Sequence, residues 1–315
     1  MTRTKRRHKD SQRDRLSFHM NCAPLLREKL ESLGFVQEKL SGKSDFSMWD
    51  THKHYDILSK IKCIGRQILN PLDDKRTMYL RLKELGRTSF LPPTFPYAAQ
   101  VSENDLDPTK LYFLKEIHGT CGTEVYPVRT MEDIQRVVPG SLRKYVIQEE
   151  VPDMILQNDC KVTMRVYVLI ADGEIYIYDD GSIYLYQKKY DRDDLDVNIH
   201  KWTSNSDHIR YESYSEQPYY KQTFEPMKEI CYQTVKPFLN GNLSDRFRIL
   251  GIDVILCKKL NPYVIEVNTY PNLNHSKTVS VKSKMLQDFI DFYILPKTHN
   301  TEPRVGGWIL LKYDN

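Results

Sequence analysis

The sequence lacks long apolar runs, paired cysteines and a strong excess of charge of either sign. No stretch approaches the roughly 20 apolar residues of a membrane-spanning helix, and the basic N-terminus is not followed by the apolar core of a signal peptide. The six cysteines are scattered without a CxxC pair, which argues against a disulfide framework and a zinc ribbon. We therefore expect a protein that stays inside the cell, with reduced thiols and no membrane partner.

Charge is nearly balanced over most of the chain. The 315 residues contain 46 Lys and Arg against 42 Asp and Glu, for a net charge of +4. Residues 1–15 hold seven basic and two acidic side chains, so this arm carries +5 and the remaining 300 residues carry −1. Proteins that bind nucleic acid spread Lys and Arg over a face of the fold. The near-neutral body therefore argues against a nucleic-acid partner.

Turn residues and changes in periodicity divide the chain into five segments. We expect a disordered basic arm at 1–21, an N-terminal lobe at 22–72, a central lobe at 73–144, a C-terminal lobe at 145–295 and a C-terminal tail at 296–315. Alternating runs predict strands at 145–150, 161–171, 174–179, 182–187, 246–257 and 262–268. Helices are predicted near 225–239 and 282–293. The fold class is thus α+β, with an antiparallel sheet in the C-terminal lobe.

Two apolar runs with acidic residues predict a metal-binding hairpin. If residues 258–261 form its loop, Cys257 faces Pro262, and Asp253 then faces Glu266 across the two strands. Facing carboxylates lie about 5 Å apart and repel each other unless a cation sits between them. Asn268 falls on the same face, and two carboxylates with an amide oxygen suit Mg²⁺. The alternative is an exposed hairpin whose carboxylates pair with lysines, but the Val, Ile and Leu content of both runs favours burial and the metal site.

A second run carries cations on one face. Lys161, Thr163 and Arg165 alternate with apolar residues, so these three side chains would share one face of a strand, where the two cations suit a polyphosphate. An ordinary solvated strand face is the alternative. The segment from Gly119 to Thr123 has the composition of a phosphate loop, but its spacing favours a plain hairpin turn.

In this order, the motifs of the chain resemble those of the tubulin–tyrosine ligase family of ATP-grasp enzymes, over about residues 35–275. The most specific matches are C-terminal: Lys161 to Arg165 resembles the family's Lys-Phe-Asp-x-Arg strand, and Glu266-Val267-Asn268 with Pro271 resembles its Glu-x-Asn-x-x-Pro ending. Trp202 to Asn205 belongs to the same C-terminal series and resembles the family's His-Leu-Thr-Asn element. Looser matches, N-terminal to these, are Asp45 to Trp49, Asn70-Pro71, Asp74-Lys75, Lys115 and Val146 to Val151.

The resemblance implies an ATP-grasp fold and a ligase that uses ATP and Mg²⁺ to add Tyr, Glu or Gly to a protein tail through an acyl phosphate. The implied partners are a free amino acid and tubulin or another acidic protein tail, in the cytoplasm and on the cytoskeleton. The implied metal ligands are Asp253, Glu266 and Asn268, and the implied catalytic residues are Arg165 and Lys161. The implied ATP-binding residues are Lys75, Lys115, Lys161, Asn205 and the adenine hinge Gln148, Glu149, Glu150 and Val151.

Two positions depart from the family pattern. Thr163 stands where the family usually has Asp, and Tyr184 stands where it usually has a substrate-facing Arg. Two alternatives therefore stay open, a ligase for a peptide or small carboxylate and a relative that binds ATP without turnover. We expect deletion of residues 1–15 to weaken binding of an acidic acceptor in a salt-sensitive way, whereas a localisation signal or a solvated tail would leave the acceptor KM at low salt unchanged.

Overall fold

A computed structural model of the chain describes residues 16–20, 23–38, 44–48, 59–119, 124–200, 209–274 and 279–313. Within these ranges the chain forms two β-sheets with helices packed on them. The strands are β1 (Ser17–Met20), β2 (Val36–Gln37), β3 (Phe46–Met48), β4 (Ile61–Cys63), β5 (Thr94–Phe95), β6 (Tyr112–Glu116), β7 (Val125–Val128), β8 (Tyr145–Glu149), β9 (Leu156–Gln157), β10 (Cys160–Ala171), β11 (Glu174–Lys189), β12 (Ile209–Ser213), β13 (Arg246–Leu256), β14 (Pro262–Asn268) and β15 (Trp308–Leu310).

The larger sheet is mixed. Its strands run in the order β12-β11-β10-β13-β4-β3-β1-β2, with β14 beside β13, β15 beside β11 and β9 beside β10. The strands from β9 onward pair antiparallel with one another, as predicted for the C-terminal lobe. The short strands β1 to β4 pair parallel with one another, and β4 pairs parallel with β13. The predicted N-terminal lobe therefore extends the sheet of the C-terminal lobe.

The smaller sheet is antiparallel and has the order β5-β8-β6-β7. Its strand β8 (Tyr145–Glu149) pairs with β6 and so belongs to the sheet of the central lobe. The boundary predicted at residue 145 had assigned this strand to the C-terminal lobe. Strand β8 ends where the chain leaves this sheet for β9 and β10. The hinge residues predicted from the sequence therefore lie at the connection between the two sheets.

Helices cover both faces of the larger sheet, and α4 (Met131–Val137) packs on the smaller sheet. The other α-helices of the described ranges are α1 (Pro24–Ser32), α2 (Arg66–Asp73), α3 (Lys75–Glu84), α5 (Val197–His200), α6 (Tyr220–Val235), α7 (Val279–Phe289) and α8 (Leu295–His299). Predicted helices near 225–239 and 282–293 correspond to α6 and to α7, which continues as a π-helical turn at Ile290–Ile294. In the described part of the chain, no helix is both long and apolar enough to cross a membrane.

The alternation along β10 divides the core into two layers. Val166, Val168 and Ile170 pack with α2, α3 and α6, whereas Tyr167, Leu169 and Ala171 pack with α1 and α7. Lys161, Thr163 and Arg165 continue the second of these faces toward the start of the strand. This face of β10 is thus polar in the first half of the strand and apolar in the second half. The polar half, with Lys161, Thr163 and Arg165, forms part of the candidate site.

Two predicted boundaries shift in the structure. Ser17–Met20 forms a fully buried strand, so these residues do not belong to the disordered arm predicted at 1–21. Residues 1–15 of that arm lie outside the described ranges. The predicted tail at 296–315 includes Trp308–Leu310, which pairs with Tyr176–Tyr178 of β11. Trp308 is 1% exposed and packs edge-on against Tyr178 with ring centroids 5.0 Å apart. Buried apolar side chains therefore hold both terminal segments against the larger sheet.

Candidate active site

The predicted hairpin is present, with a bulge that the sequence did not indicate. Asp253 pairs with Glu266, as predicted, and Gly251 pairs with Asn268. The predicted pairing near the loop is wrong by one residue, because Leu256 rather than Cys257 faces Pro262. A register shift next to Asp253 accounts for the difference: Val254 pairs with Val264, which leaves Ile265 as the extra residue.

Each carboxylate of the hairpin meets a cation. Arg165 donates from Nε to Asp253 Oδ1 and from Nη2 to Asp253 Oδ2, both at 2.7 Å. Lys75 Nζ lies 3.1 Å from Glu266 Oε1, and Asn268 Nδ2 donates to Asp253 Oδ2 at 3.1 Å. Burial acts to lower the pKa of the Arg165 guanidinium, but the charge of Asp253, the hydrogen bonds to Asp253 and the nearby Tyr184 together raise this pKa above its ordinary value. The facing carboxylates are therefore balanced by charges from β10 and α3.

Arg165 is held by its neighbours on three sides. It pairs in register with Asp253 across β10 and β13, and its guanidinium carbon lies 5.8 Å from the centre of the Tyr184 ring. A Cβ atom at Gly251 would lie 3.1 Å from Arg165 Cδ and 3.1 Å from Pro271 Cβ. The absence of a side chain at Gly251 therefore leaves room for the guanidinium between β13 and the segment after β14.

Replacing Gly251 by Ala should displace Arg165. We expect a loss of about 1–3 kcal/mol in the free energy of unfolding, because the added methyl overpacks a buried site. Urea denaturation of the variant measures it. Gly140→Ala is the matched control, since a Cβ there meets nothing within 4 Å. Equal stability of the two variants would contradict the tight packing around Arg165.

The start of α3 connects Lys75 to the hairpin. Asp74 caps this helix by accepting from the Thr77 backbone N–H at 2.7 Å, which is why the helix begins at Lys75. Asp73 Oδ1 accepts from the backbone N–H of Thr269 at 3.1 Å, directly after Asn268. Lys75 Nζ also donates to Gly119 O at 2.8 Å. One short segment thus positions Lys75 against both the hairpin and the start of the predicted phosphate loop.

Lys161 is a buried cation, and Lys115 is a partly buried one. Lys115 Nζ donates to Gln148 Oε1 at 2.6 Å, and Lys161 Nζ donates to His200 O at 3.2 Å while lying 4.7 Å from the centre of the Phe113 ring. Burial lowers the pKa of Lys115 to about 7, and the charges of Lys75 and Lys161 act in the same direction. Burial lowers the pKa of Lys161 to about 8. The strand face that carries Lys161 is therefore not a solvated surface, and an anionic ligand would stabilise its charges.

The four predicted hinge residues face in different directions. Gln148 is buried and bridges Lys115 to Thr94 Oγ1, to which its Nε2 donates at 3.2 Å. Glu149 lies on the other face of β8 and pairs with Lys110 at 3.0 Å. Glu150 is buried and accepts from Tyr190 OH at 2.6 Å, whereas Val151 packs in a small apolar cluster. The side chains of Gln148 and Glu150 therefore lie on the side of the lysines.

Some predicted residues lie outside the described ranges. Asn205, with the rest of the Trp202 to Asn205 motif, belongs to this group, as do Trp49 and residues 120–123 of the predicted phosphate loop. The roles proposed for them stay predictions. Gly119 is described, and its carbonyl oxygen is bound to Lys75.

Sequence reasoning missed Lys282 as a member of this cluster. It lies in the first turn of α7 and is 4% exposed. Burial lowers its pKa to about 8, and the charge of Arg165 acts in the same direction, so the two cations are close. Phe113 and His200, which both contact Lys161, were also missed. In the sequence each of these is a common residue type inside a regular pattern, and only the packing of distant segments brings them together.

The donor set of the hairpin fits magnesium. Asp253, Glu266 and Asn268 present hard oxygen ligands on one face, and Mg²⁺ prefers one or two carboxylates together with waters and phosphate oxygens. Among the described residues, no group of three or more His, Cys, Asp or Glu could hold a metal ion. Within that part of the chain, this mixed carboxylate and amide set is our candidate for a metal site.

Comparison with known proteins agrees with the motifs. The model of the tubulin-tyrosine ligase family matches residues 54–230 and 185–302, which together are most of the chain. A "probable alpha-tubulin polyglutamylase" of Tetrahymena thermophila is 19% identical over 306 residues, covering 81% of this chain and 73% of that protein. A "probable tubulin polyglutamylase" of Caenorhabditis elegans is 23% identical, covering 64% of this chain and 56% of that protein. A "tubulin glycylase 3B" of Tetrahymena thermophila is 20% identical, and the chain spans only 18% of its length. On the breadth of the family match, the chain belongs to the tubulin-tyrosine ligase family.

Proposed function

We propose that the protein is an ATP- and Mg²⁺-dependent ligase that joins an amino acid to a carboxylate on a protein tail, with tubulin as the acceptor. The proposal rests on one observation. Asp253, Glu266 and Asn268 lie together with buried cations from three separate segments, α3, β10 and α7. The names of the relatives, polyglutamylases and glycylases of tubulin, favour Glu or Gly as the amino acid over Tyr. An acceptor of this kind would bring the protein to the cytoskeleton.

Three lysines are proposed to bind the phosphates of ATP. Lys75 is 8% exposed, Lys161 is 4% exposed and Lys115 is partly buried, so their charges act at a lower dielectric than in water. Asp253, Glu266 and Asn268 would hold Mg²⁺, which when bound supplies positive charge to the phosphate oxygens. The hinge from Gln148 to Val151 would hold the nucleobase. The protein contributes mainly positioning and electrostatic stabilisation, as in other phosphoryl transfers.

The proposed reaction has two steps. An oxygen of the acceptor carboxylate attacks the γ-phosphorus of ATP, the bond to ADP breaks, and an acyl phosphate forms. The amine of the incoming amino acid then attacks the acyl carbon, loses a proton, and expels phosphate to leave an amide. Arg165 is the cation proposed to stabilise the negative charge that develops on the acyl oxygen. Its bidentate contact with Asp253 fixes the orientation of the guanidinium.

Incorporation of labelled amino acid into microtubules tests the proposal. The protein is incubated with Mg-ATP, microtubules and labelled Glu, Gly or Tyr in separate reactions, and both label and ADP are measured. We expect ATP-dependent label from Glu or Gly, and none with Glu266→Gln. Label that persists at the wild-type rate in Glu266→Gln would overturn the metal assignment. Neither label nor ADP with the wild-type protein would mean an ATP-binding relative without turnover.

A second candidate function keeps the ATP chemistry but changes the acceptor. Tyr184, at the position of the usual substrate-facing Arg, is 3% exposed, and its ring lies edge-on to Tyr211 with centroids 5.4 Å apart. An aromatic ring in place of a cation removes one partner for an anionic substrate. ADP release that a peptide or small carboxylate stimulates, without label in microtubules, would favour this candidate.

The pKa of Lys115 predicts a pH dependence of ATP binding. In the free protein this pKa is about 7, and contact with phosphate would raise it, so binding above pH 7 takes up a proton. We therefore expect the affinity for ATP to fall as pH rises, approaching about tenfold per pH unit up to the pKa of the complex. Titration calorimetry between pH 6.5 and 9 measures this slope.

Lys115→Arg is the control for that slope. Arginine stays charged over this range, so the variant should bind ATP with a much flatter pH dependence up to about pH 8, where the pKa of Lys161 lies. Parallel slopes for the wild-type protein and the variant would assign the effect to another group.

A further inference from the structure

Arg248 is a buried arginine on the face of the larger sheet that lies away from the candidate site. It is 2% exposed. By the alternation of β13, its side chain shares a face with Leu250 and Ile252, in the core layer that packs with α2, α3 and α6, and Asp253 lies on the opposite face. A guanidinium is costly to bury, whereas a methionine of similar length would fill the same space without a charge. The contacts of the guanidinium, rather than packing, therefore indicate what Arg248 does.

The guanidinium of Arg248 joins two segments that are far apart in the sequence. Its Nη2 donates to Ile64 O at 2.7 Å and to Tyr270 OH at 3.1 Å. Its central carbon lies 4.2 Å from the centre of the Tyr270 ring, which is a cation–π contact. Ile64 directly follows β4, and Tyr270 lies just after β14. Because β4 and β14 both pair with β13, Arg248 lies where the N-terminal strands meet the metal-binding hairpin.

The segment after Asn268 is tied to both ends of α2. Ile64 lies two residues before this helix begins, and Asp73 is its last residue. Asp73 accepts from the backbone N–H of Thr269, and Tyr270 is held next to Ile64 by the guanidinium. Thr269 and Tyr270 are the two residues that follow Asn268. The backbone at Asn268 is therefore fixed by contacts made from the other side of the sheet.

We propose that Arg248 is a positioning residue for the metal ligands of the hairpin. It fixes Tyr270 next to the start of α2, and Tyr270 in turn fixes the backbone at Asn268 and so the direction of its amide oxygen. The inference rests on the proposed function, because it takes Asn268 and Glu266 to bind Mg²⁺. Replacement of residues that orient metal ligands typically weakens metal affinity by about 10- to 100-fold.

The Mg²⁺-dependent part of ATP binding tests the inference. Calorimetry at pH 7.5 gives the Kd for ATP of the full-length protein, once in excess Mg²⁺ and once in EDTA. A misplaced Asn268 should weaken binding only where the ion takes part, whereas a general loss of structure should weaken both affinities alike. In Arg248→Met we expect the Kd in Mg²⁺ to rise by about 10- to 100-fold, while the Kd in EDTA stays within about twofold of wild type.

Tyr270→Phe is a milder second variant, which also tests the inference if Arg248→Met does not fold. It removes the hydroxyl that Arg248 contacts and keeps the ring next to the guanidinium. Because one hydrogen bond is lost, we expect a smaller effect of the same kind, about two- to tenfold on the Kd in Mg²⁺. Tyr214→Phe is the matched control. It removes a buried hydroxyl that contacts Thr223 Oγ1 at 2.6 Å in the same core layer, and both of its affinities should equal those of wild type.

The outcomes separate the inference from the proposed function. Folded Arg248→Met and Tyr270→Phe variants with wild-type affinity in Mg²⁺, or with equal losses in Mg²⁺ and EDTA, would overturn the inference and leave the proposed function intact. A loss in Tyr214→Phe as selective for Mg²⁺ as that in Tyr270→Phe would overturn it as well. If the wild-type protein bound ATP equally well with and without Mg²⁺, the metal assignment would fail and the inference with it. A wild-type protein that bound no ATP would contradict the proposed function itself.

Discussion

Replacing Asp253 by Leu should destabilise the protein by about 3–5 kcal/mol, because the Arg165 charge stays buried while both of its hydrogen bonds to Asp253 are lost. Arg165 is 5% exposed and its two contacts with Asp253 are both 2.7 Å long. Without Asp253 the guanidinium would lie next to Lys282, a second buried cation. Urea denaturation at pH 7 should show the loss as a lower midpoint with an unchanged slope.

The double variant Arg165→Met/Asp253→Leu separates the charge effect from a packing defect. Replacing both members of a buried ion pair by apolar residues of similar volume is often neutral or stabilising, so much of the stability should return while ligation stays absent. A double variant as unstable as Asp253→Leu would show that packing, rather than the buried charge of Arg165, explains the loss. The pair would then be ordinary core structure and its link to catalysis would weaken.

The hairpin could be predicted from sequence because each of its strands is long and regular. The alternation in β13 and β14 was enough to put Asp253 opposite Glu266, and the structure agrees. The bulge at Ile265 was not predictable, since an extra residue in a strand leaves no compositional signal. The predicted pairing at the loop was therefore wrong by one residue. On the other side of the bulge, the predicted pairing of the two carboxylates was correct.

The parallel strands at the start of the chain show the opposite case. Strands β1 to β4 have between two and four residues each, too few for a period of two to be recognised. Their place in the larger sheet depends on pairing with β13, about 180 residues later. For the same reason no local pattern in the sequence shows that Lys75 is buried, although Glu266 and Gly119 contact it in the fold. The local sequence pattern predicts individual strands and helices, whereas pairing between distant segments decides which of them are in contact.

Lys161→Met should stabilise the free protein and weaken its binding of ATP. A pKa near 8 for a buried lysine, against the ordinary 10.5, means that carrying the charge at pH 7 costs on the order of 3 kcal/mol. Methionine has a similar length and no charge, so we expect a gain of about 1–3 kcal/mol in the free energy of unfolding after allowance for repacking. Loss of a charge-assisted contact to phosphate should raise the Kd for ATP by about 10- to 100-fold.

The pH dependence gives this prediction a second readout. Between pH 8 and 10.5 the unfolded chain keeps the proton of Lys161 while the folded protein releases it, so the stability contribution of this residue rises with pH. The stability advantage of Lys161→Met should therefore shrink over that range. Lys189→Met, on the neighbouring strand and with an 80% exposed side chain, should change neither stability nor ATP binding appreciably. A Lys161→Met variant that is less stable than wild type and binds ATP normally would make Lys161 a structural residue, whose contacts with Phe113 and His200 hold the two sheets together.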